Sequence, residues 1–280
     1  MENISHSQNR YIKLSDLSFH YLDWGCKESA PIVLVHGLCS HAHYWDFFAC
    51  DMMDKYRLIA LDQRGHGDSD WAESYGPRYY IPDLEGFIEG LKLPEFTLIG
   101  HSMGGINAII YAAMHPDQVK GLVIVDIGPE INSAGRDRME RERLSEPDEF
   151  LSEEEAITYM KNMEPRQSVD FIKHQVKYAL RTDDKGKLIF KYDKKLEATE
   201  LRSPTWLWEY VDQIICPTLL LRGKESDMLS EEVSRHILER LASGYLIVID
   251  GAAHGIPGDN LKAFEAAIRD FLSRIEMNEN

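Results

Sequence analysis

The stretch Phe96-Thr97-Leu98-Ile99-Gly100-His101-Ser102-Met103-Gly104-Gly105 decides how this chain folds. Its first four residues are a short apolar run of strand type. Met103 to Met114 then follows a helical pattern, so Gly100-His101-Ser102-Met103-Gly104 falls on the turn between strand and helix. So sharp a turn forces its central residue into a strained backbone conformation and leaves no room for side chains at the two flanking glycines. The Ser102 hydroxyl is thereby pushed into the open at a helix N-terminus, where free amides and the dipole favour developing negative charge. A glycine-rich turn that merely packs helix on strand is the plain alternative. The strand-turn-helix setting favours a nucleophile.

Outward from this turn, apolar runs recur at Tyr11 to Leu14, Leu17 to Tyr21, Ile32 to Val35, Arg57 to Leu61, Leu122 to Val125, Thr218 to Leu221 and Tyr245 to Ile249. From the third strand onward they are near-continuous, as in parallel strands buried on both faces. The first two are joined by a short turn and read as an antiparallel edge hairpin. Helical patterns at Ile81 to Leu91, Met103 to Met114, Ser230 to Leu241 and Leu261 to Ile275 supply the alternation of an α/β, doubly wound, mostly parallel sheet. Between Pro129 and Val211 that alternation breaks into charged, helix-like sequence, with a capping box at Ser152 and Glu155, a second helix start at Ser168 and a turn at Asp184-Lys185-Gly186. The expected organisation is a core domain, 1–128 and 212–280, with an inserted helical cap, 129–211.

Composition narrows the classes of function. The chain has 280 residues, enough for a sizeable core, and 47 acidic against 31 basic residues give a net charge of -16. Such a surface repels phosphate backbones and anionic membranes, so neither nucleic acid nor membrane is an expected partner. The N-terminus shows no basic and apolar leader and no run reaches transmembrane length, which gives a cytoplasmic expectation. Cys26, Cys39, Cys50 and Cys216 have no C-x-x-C spacing and read as reduced thiols. No zinc, flavin or nicotinamide pattern is present, so no cofactor and no metal is expected.

A serine hydroxyl needs a histidine to take its proton and a carboxylate to hold that histidine. His254, in Gly251-Ala252-Ala253-His254-Gly255 just after the last strand, suits the base. Two carboxylates stand in the chain order serine, acid, histidine. Asp227, on the loop Arg222-Gly223-Lys224-Glu225-Ser226-Asp227 after the penultimate strand, is the first choice. Asp126, in Val125-Asp126-Ile127-Gly128-Pro129 at the end of the preceding strand, is the alternative, or else makes a structural hydrogen bond.

With these residues in place, the chain resembles the α/β-hydrolase superfamily from about Tyr11 to Ile275, including His36-Gly37-Leu38 after the third strand and Asp62-Gln63-Arg64-Gly65-His66-Gly67-Asp68-Ser69 after the fourth. The resemblance implies an oxyanion hole made by the backbone amides of Leu38 and Met103. It also implies structural roles for His36 and His66, with Asp62, Arg64 and Asp68 buttressing loops. The segment His36-Gly37-Leu38-Cys39 lacks the glycine-rich form of many lipases, which argues against bulky tertiary-alcohol and long lipid substrates.

A serine at the turn excludes dehalogenase chemistry, which needs an aspartate there. The expected activity is cleavage of a small carboxylic ester or lactone through an acyl-enzyme on Ser102. A carbon-carbon bond hydrolase, a cofactor-free perhydrolase and a hydrolase-like ligand receptor remain open alternatives. Trp206 and Trp208, with Tyr44 and Trp45, are candidates for an apolar substrate pocket and equally for the core.

Overall fold

The computed structural model describes residues 7–198 and 203–278. Its elements in chain order are β1 (Gln8–Leu14), β2 (Leu17–Trp24), β3 (Pro31–Val35), α1 (Asp46–Met52), β4 (Arg57–Leu61), α2 (Pro77–Leu91), β5 (Phe96–His101), α3 (Met103–Met114) and β6 (Val119–Val125). After these come α4 (Ser133–Ser145), α5 (Glu153–Met163), α6 (Val169–Ala179), β7 (Leu180–Thr182), β8 (Leu188–Phe190) and α7 (Trp208–Val211). The chain ends with β9 (Thr218–Gly223), α8 (Glu231–Arg240), β10 (Gly244–Ile249), α9 (Ile256–Asp259) and α10 (Leu261–Asn278).

Eight strands form one sheet in the order β1-β2-β4-β3-β5-β6-β9-β10, antiparallel at β1-β2 and β2-β4 and parallel from there on. This is the α/β-hydrolase fold. Alternate residues of its central strands enter two apolar layers. Val33, Ile59, Leu98 and Leu122 pack against Phe87 of α2 and Ile109 of α3. Ile32, Leu34, Ile99 and Val123 pack against Phe48 of α1 and Phe264 and Phe271 of α10 on the other face. Each such aromatic contributes roughly 1.5–3 kcal/mol through its burial, which is why the central runs carry no polar alternation. Strand β10 departs from that expectation, since as an edge strand it exposes Tyr245 and Val248.

The chain between β6 and β9 holds α4 to α6, as its capping residues predict. Ser152 accepts from the Glu155 amide and Ser168 from the Phe171 amide, while the Glu155 carboxylate turns back to the Leu151 amide. The Asp184-Lys185-Gly186 turn joins a short hairpin, β7 and β8, that periodicity alone did not reveal. This segment is tied to the core through a buried carboxylate. Asp46, fully buried at the start of α1, accepts from His43 Nδ1 (2.8 Å) and from His174 Nε2 of α6 (2.7 Å). Among the described residues no helix is long and apolar enough to cross a membrane.

Candidate active site

The carboxyl ends of β5, β6 and β9 and the loop after β10 converge on Ser102. Its backbone stands at φ 53° and ψ -121°, a left-handed strain no ordinary turn needs. A Cβ at Gly100 would lie 2.3 Å from the Gly104 carbonyl oxygen, and one at Gly104 the same distance from that of Val35, so backbone contact dictates both glycines.

His254 Nε2 lies 2.9 Å from Ser102 Oγ, and its Nδ1 lies 2.9 Å from Asp126 Oδ2. With Nδ1–H donating a hydrogen bond to the carboxylate, Nε2 is left bare to accept from the serine hydroxyl. Asp126 follows β6 directly, is fully buried and also has a positive φ of 52°. Its Oδ1 accepts from the Gly223 amide (2.9 Å) and its Oδ2 from the Ser226 hydroxyl (2.5 Å), both neutral donors.

The first-choice carboxylate is placed differently from the sequence expectation. Asp227 makes a two-pronged ion pair with Arg138 of α4, Nε to Oδ2 at 2.7 Å and Nη2 to Oδ1 at 3.0 Å. Burial raises its pKa and the Arg138 guanidinium more than reverses this, holding it below the usual carboxylate value. Both carboxylate oxygens point at the guanidinium. The carboxylate brought to His254 is Asp126, and the loop after β9 serves it through Gly223 and Ser226.

Other residues settle around this relay. His101 Nε2 donates to the His254 carbonyl (2.9 Å), and burial depresses its pKa to about 3, so it is a neutral prop for the histidine loop that sequence reasoning did not single out. Leu38 lines the cavity over Ser102, and Met103 is the first residue of α3, where a helix leaves its amide without an intrahelical partner. His36 is buried, donates from Nδ1 to Gly37 O and accepts from the Gln63 amide at Nε2, while His66 donates to Arg64 O. Asp62 accepts from His20 and from the amides of Ala42 and Asp68, and Arg64 pairs with Asp83. The Asp68 carboxylate reaches Lys191 beyond α6.

A cavity of about 220 Å³ lies over Ser102 and His254. Its outer wall comes from the segment between β6 and β9, with Arg138, Glu142, Glu164, Gln167 and Gln175 among its residues. Of the four aromatic candidates Tyr44 lines it. Trp45 is fully buried against Phe48 and Phe264 in the core, Trp206 is exposed beside Tyr210, and Trp208 packs on the core with its indole N–H on Glu130. Neither Trp45 nor Trp206 lines this cavity: Trp45, just before α1, is packed into the core, and Trp206, just before α7, lies against Tyr210. Two clusters among the described residues have donor atoms close enough to hold a metal ion, His43 with Asp46 and His174, and His20 with Asp62 and Asp68. In each, a carboxylate oxygen already accepts from an imidazole, which an ion would have to displace.

The chain is similar in sequence and in fold to several hydrolases. Over 249 residues the chain is 26% identical to 2-(acetamidomethylene)succinate hydrolase of Mesorhizobium japonicum, covering 88% of this chain and 89% of that one. It is 27% identical over 261 residues to an esterase of Mycobacterium tuberculosis, covering 90% and 85%. A crystal structure of E-2-(acetamidomethylene)succinate hydrolase superposes with a TM-score of 0.89 at 24% identity over 96% of this chain and 100% of that one, a likeness of fold. The family model described as serine aminopeptidase, S33, matches residues 27–260. With the strand-turn-helix serine and the sheet order already in hand, that match places the chain in the serine aminopeptidase S33 family, among the hydrolases of the α/β-hydrolase superfamily.

Proposed function

We propose that the chain is a serine hydrolase that opens a small carboxylic ester through an acyl-enzyme on Ser102, with residues 129–211 acting as a cap over the site. The observation that carries this reading is the unbroken relay from Ser102 Oγ through His254 to Asp126, with both links at 2.9 Å. As Ser102 Oγ attacks the substrate carbonyl, its proton passes to His254 Nε2, and the buried Asp126 carboxylate stabilises the imidazolium that results. Negative charge gathers on the carbonyl oxygen, and the amides of Leu38 and Met103 are the donors in this reading. The imidazolium then protonates the departing alcohol. In the second half, water gives its proton to His254 and its oxygen to the acyl carbon, which releases the acid and restores Ser102. Nothing in this cycle draws on a cofactor.

The reading is tested with a fluorophosphonate probe and a graded set of p-nitrophenyl esters. One label on Ser102, lost in Ser102→Ala together with about a thousandfold or more of ester turnover, is the expected result. Labelling at another residue, or ester turnover untouched by Ser102→Ala, overturns it.

A further inference from the structure

The cavity has an acidic wall whose one strong base is already spent. Among the described residues that line it, Arg138 is the single lysine or arginine. Its Nε and Nη2 hold Asp227, and its Nη1 lies 3.0 and 3.1 Å from the two carboxylate oxygens of Glu142. Two carboxylates therefore oppose one guanidinium, leaving a net negative charge before Glu164 is considered. Glu164 follows α5 and lines the same space with no ion-pair partner among the described residues. Facing it are Asp259 of α9, Arg138 and Glu142 of α4 and His254, with Lys161 and Arg166 on its own stretch of chain. Lys161 is engaged by the carbonyls of Pro165 and Gln167. A substrate carboxylate entering this space would meet like charge and find no uncommitted lysine or arginine among the described lining residues. An ammonium group would instead meet the Glu164 carboxylate.

We propose that this cavity selects its substrate by charge, taking an ester whose acyl chain carries an ammonium group beside Glu164 and excluding acyl chains that end in a carboxylate. This rests on the ester reading above and sets the chain apart from the relative whose name specifies a succinate, a dicarboxylate. Burial, and after it the charge of Asp259, pushes the Glu164 carboxyl up to about 7. A bound cation favours its ionised form, so the preference for cationic over neutral substrate grows as pH rises through that value.

The test uses three p-nitrophenyl butanoates of matched size whose chains end in trimethylammonium, its neutral isostere tert-butyl, or carboxylate. The expected kcat/KM order is cationic, neutral, anionic, with roughly tenfold or more between the ends. The ratio of cationic to neutral turnover should rise between about pH 6 and pH 8. Any pH dependence of the chemical step that the three esters share cancels from that ratio. In Glu164→Gln the ratio should fall toward one and lose its pH dependence. A carboxylate ester turned over as fast as the isostere, or a ratio unmoved by Glu164→Gln, overturns charge selection and leaves the ester reading standing. If none of the three esters is turned over, the ester reading fails and charge selection fails with it.

Discussion

The ends of β6 and β9 lie side by side in the sheet, Val125 opposite Leu221, and each delivers a carboxylate within a few residues, yet the two acids have opposite surroundings. Asp126 is fully buried and, among the described residues, receives two neutral donors, the Gly223 amide and the Ser226 hydroxyl, besides His254. Asp227 is half-buried and gripped by a guanidinium. A carboxylate locked in a two-pronged ion pair has its best lone pairs committed and its charge already compensated, so it has little to offer an imidazolium. The difference teaches that the acid of such a relay is chosen by who else claims it.

Three substitutions can break or sharpen this contrast. The largest effect is expected for Asp126→Asn, which would keep the packing but present the wrong donor to His254 Nδ1 and lower kcat/KM by about ten-thousandfold. If Asp227→Asn proved more damaging while both variants melted near the parent temperature, the contrast would be inverted. Ser226→Ala removes one of the donors that hold Asp126 and should cost about tenfold in kcat with little change in KM, as read from steady-state ester hydrolysis. A loss equal to that of Asp126→Asn would mean that Ser226 does more than position the acid. Smallest is Asp227→Asn, expected to change kcat/KM by about threefold or less and to lower Tm by about 2 °C through the loss of a partly exposed ion pair, as measured by calorimetry.

Much of this molecule was legible before any coordinates. The continuous apolar runs gave the parallel strands because both faces of the sheet are buried, and the glycines around Ser102 gave the turn because backbone crowding allows nothing else. His254 was legible from its place after the last strand. The choice of acid was not, because it turns on Arg138, a residue of α4 some ninety positions earlier in the chain than Asp227, and no local pattern says where that guanidinium will rest. That Trp45 and Trp206 lie outside the cavity was hidden for a related reason. A large ring signals burial or contact, and only the packing of Phe48 and Phe264 shows which one Trp45 meets. The wall containing Glu164 was equally hidden, since its sequence looks like ordinary solvated helix until α5 is brought over Ser102.

The two positive φ angles at Ser102 and Asp126 tie endurance to chemistry in this fold. Both lie just past neighbouring strands, and the rigid sheet keeps each where a free peptide would not stay. Glycine at either position would relax the backbone by about 1 kcal/mol or more, so natural drift toward a sturdier molecule runs straight through the two side chains the relay cannot lose. A descendant of this sequence that had given up turnover and kept only a binding role would be free to take that relief.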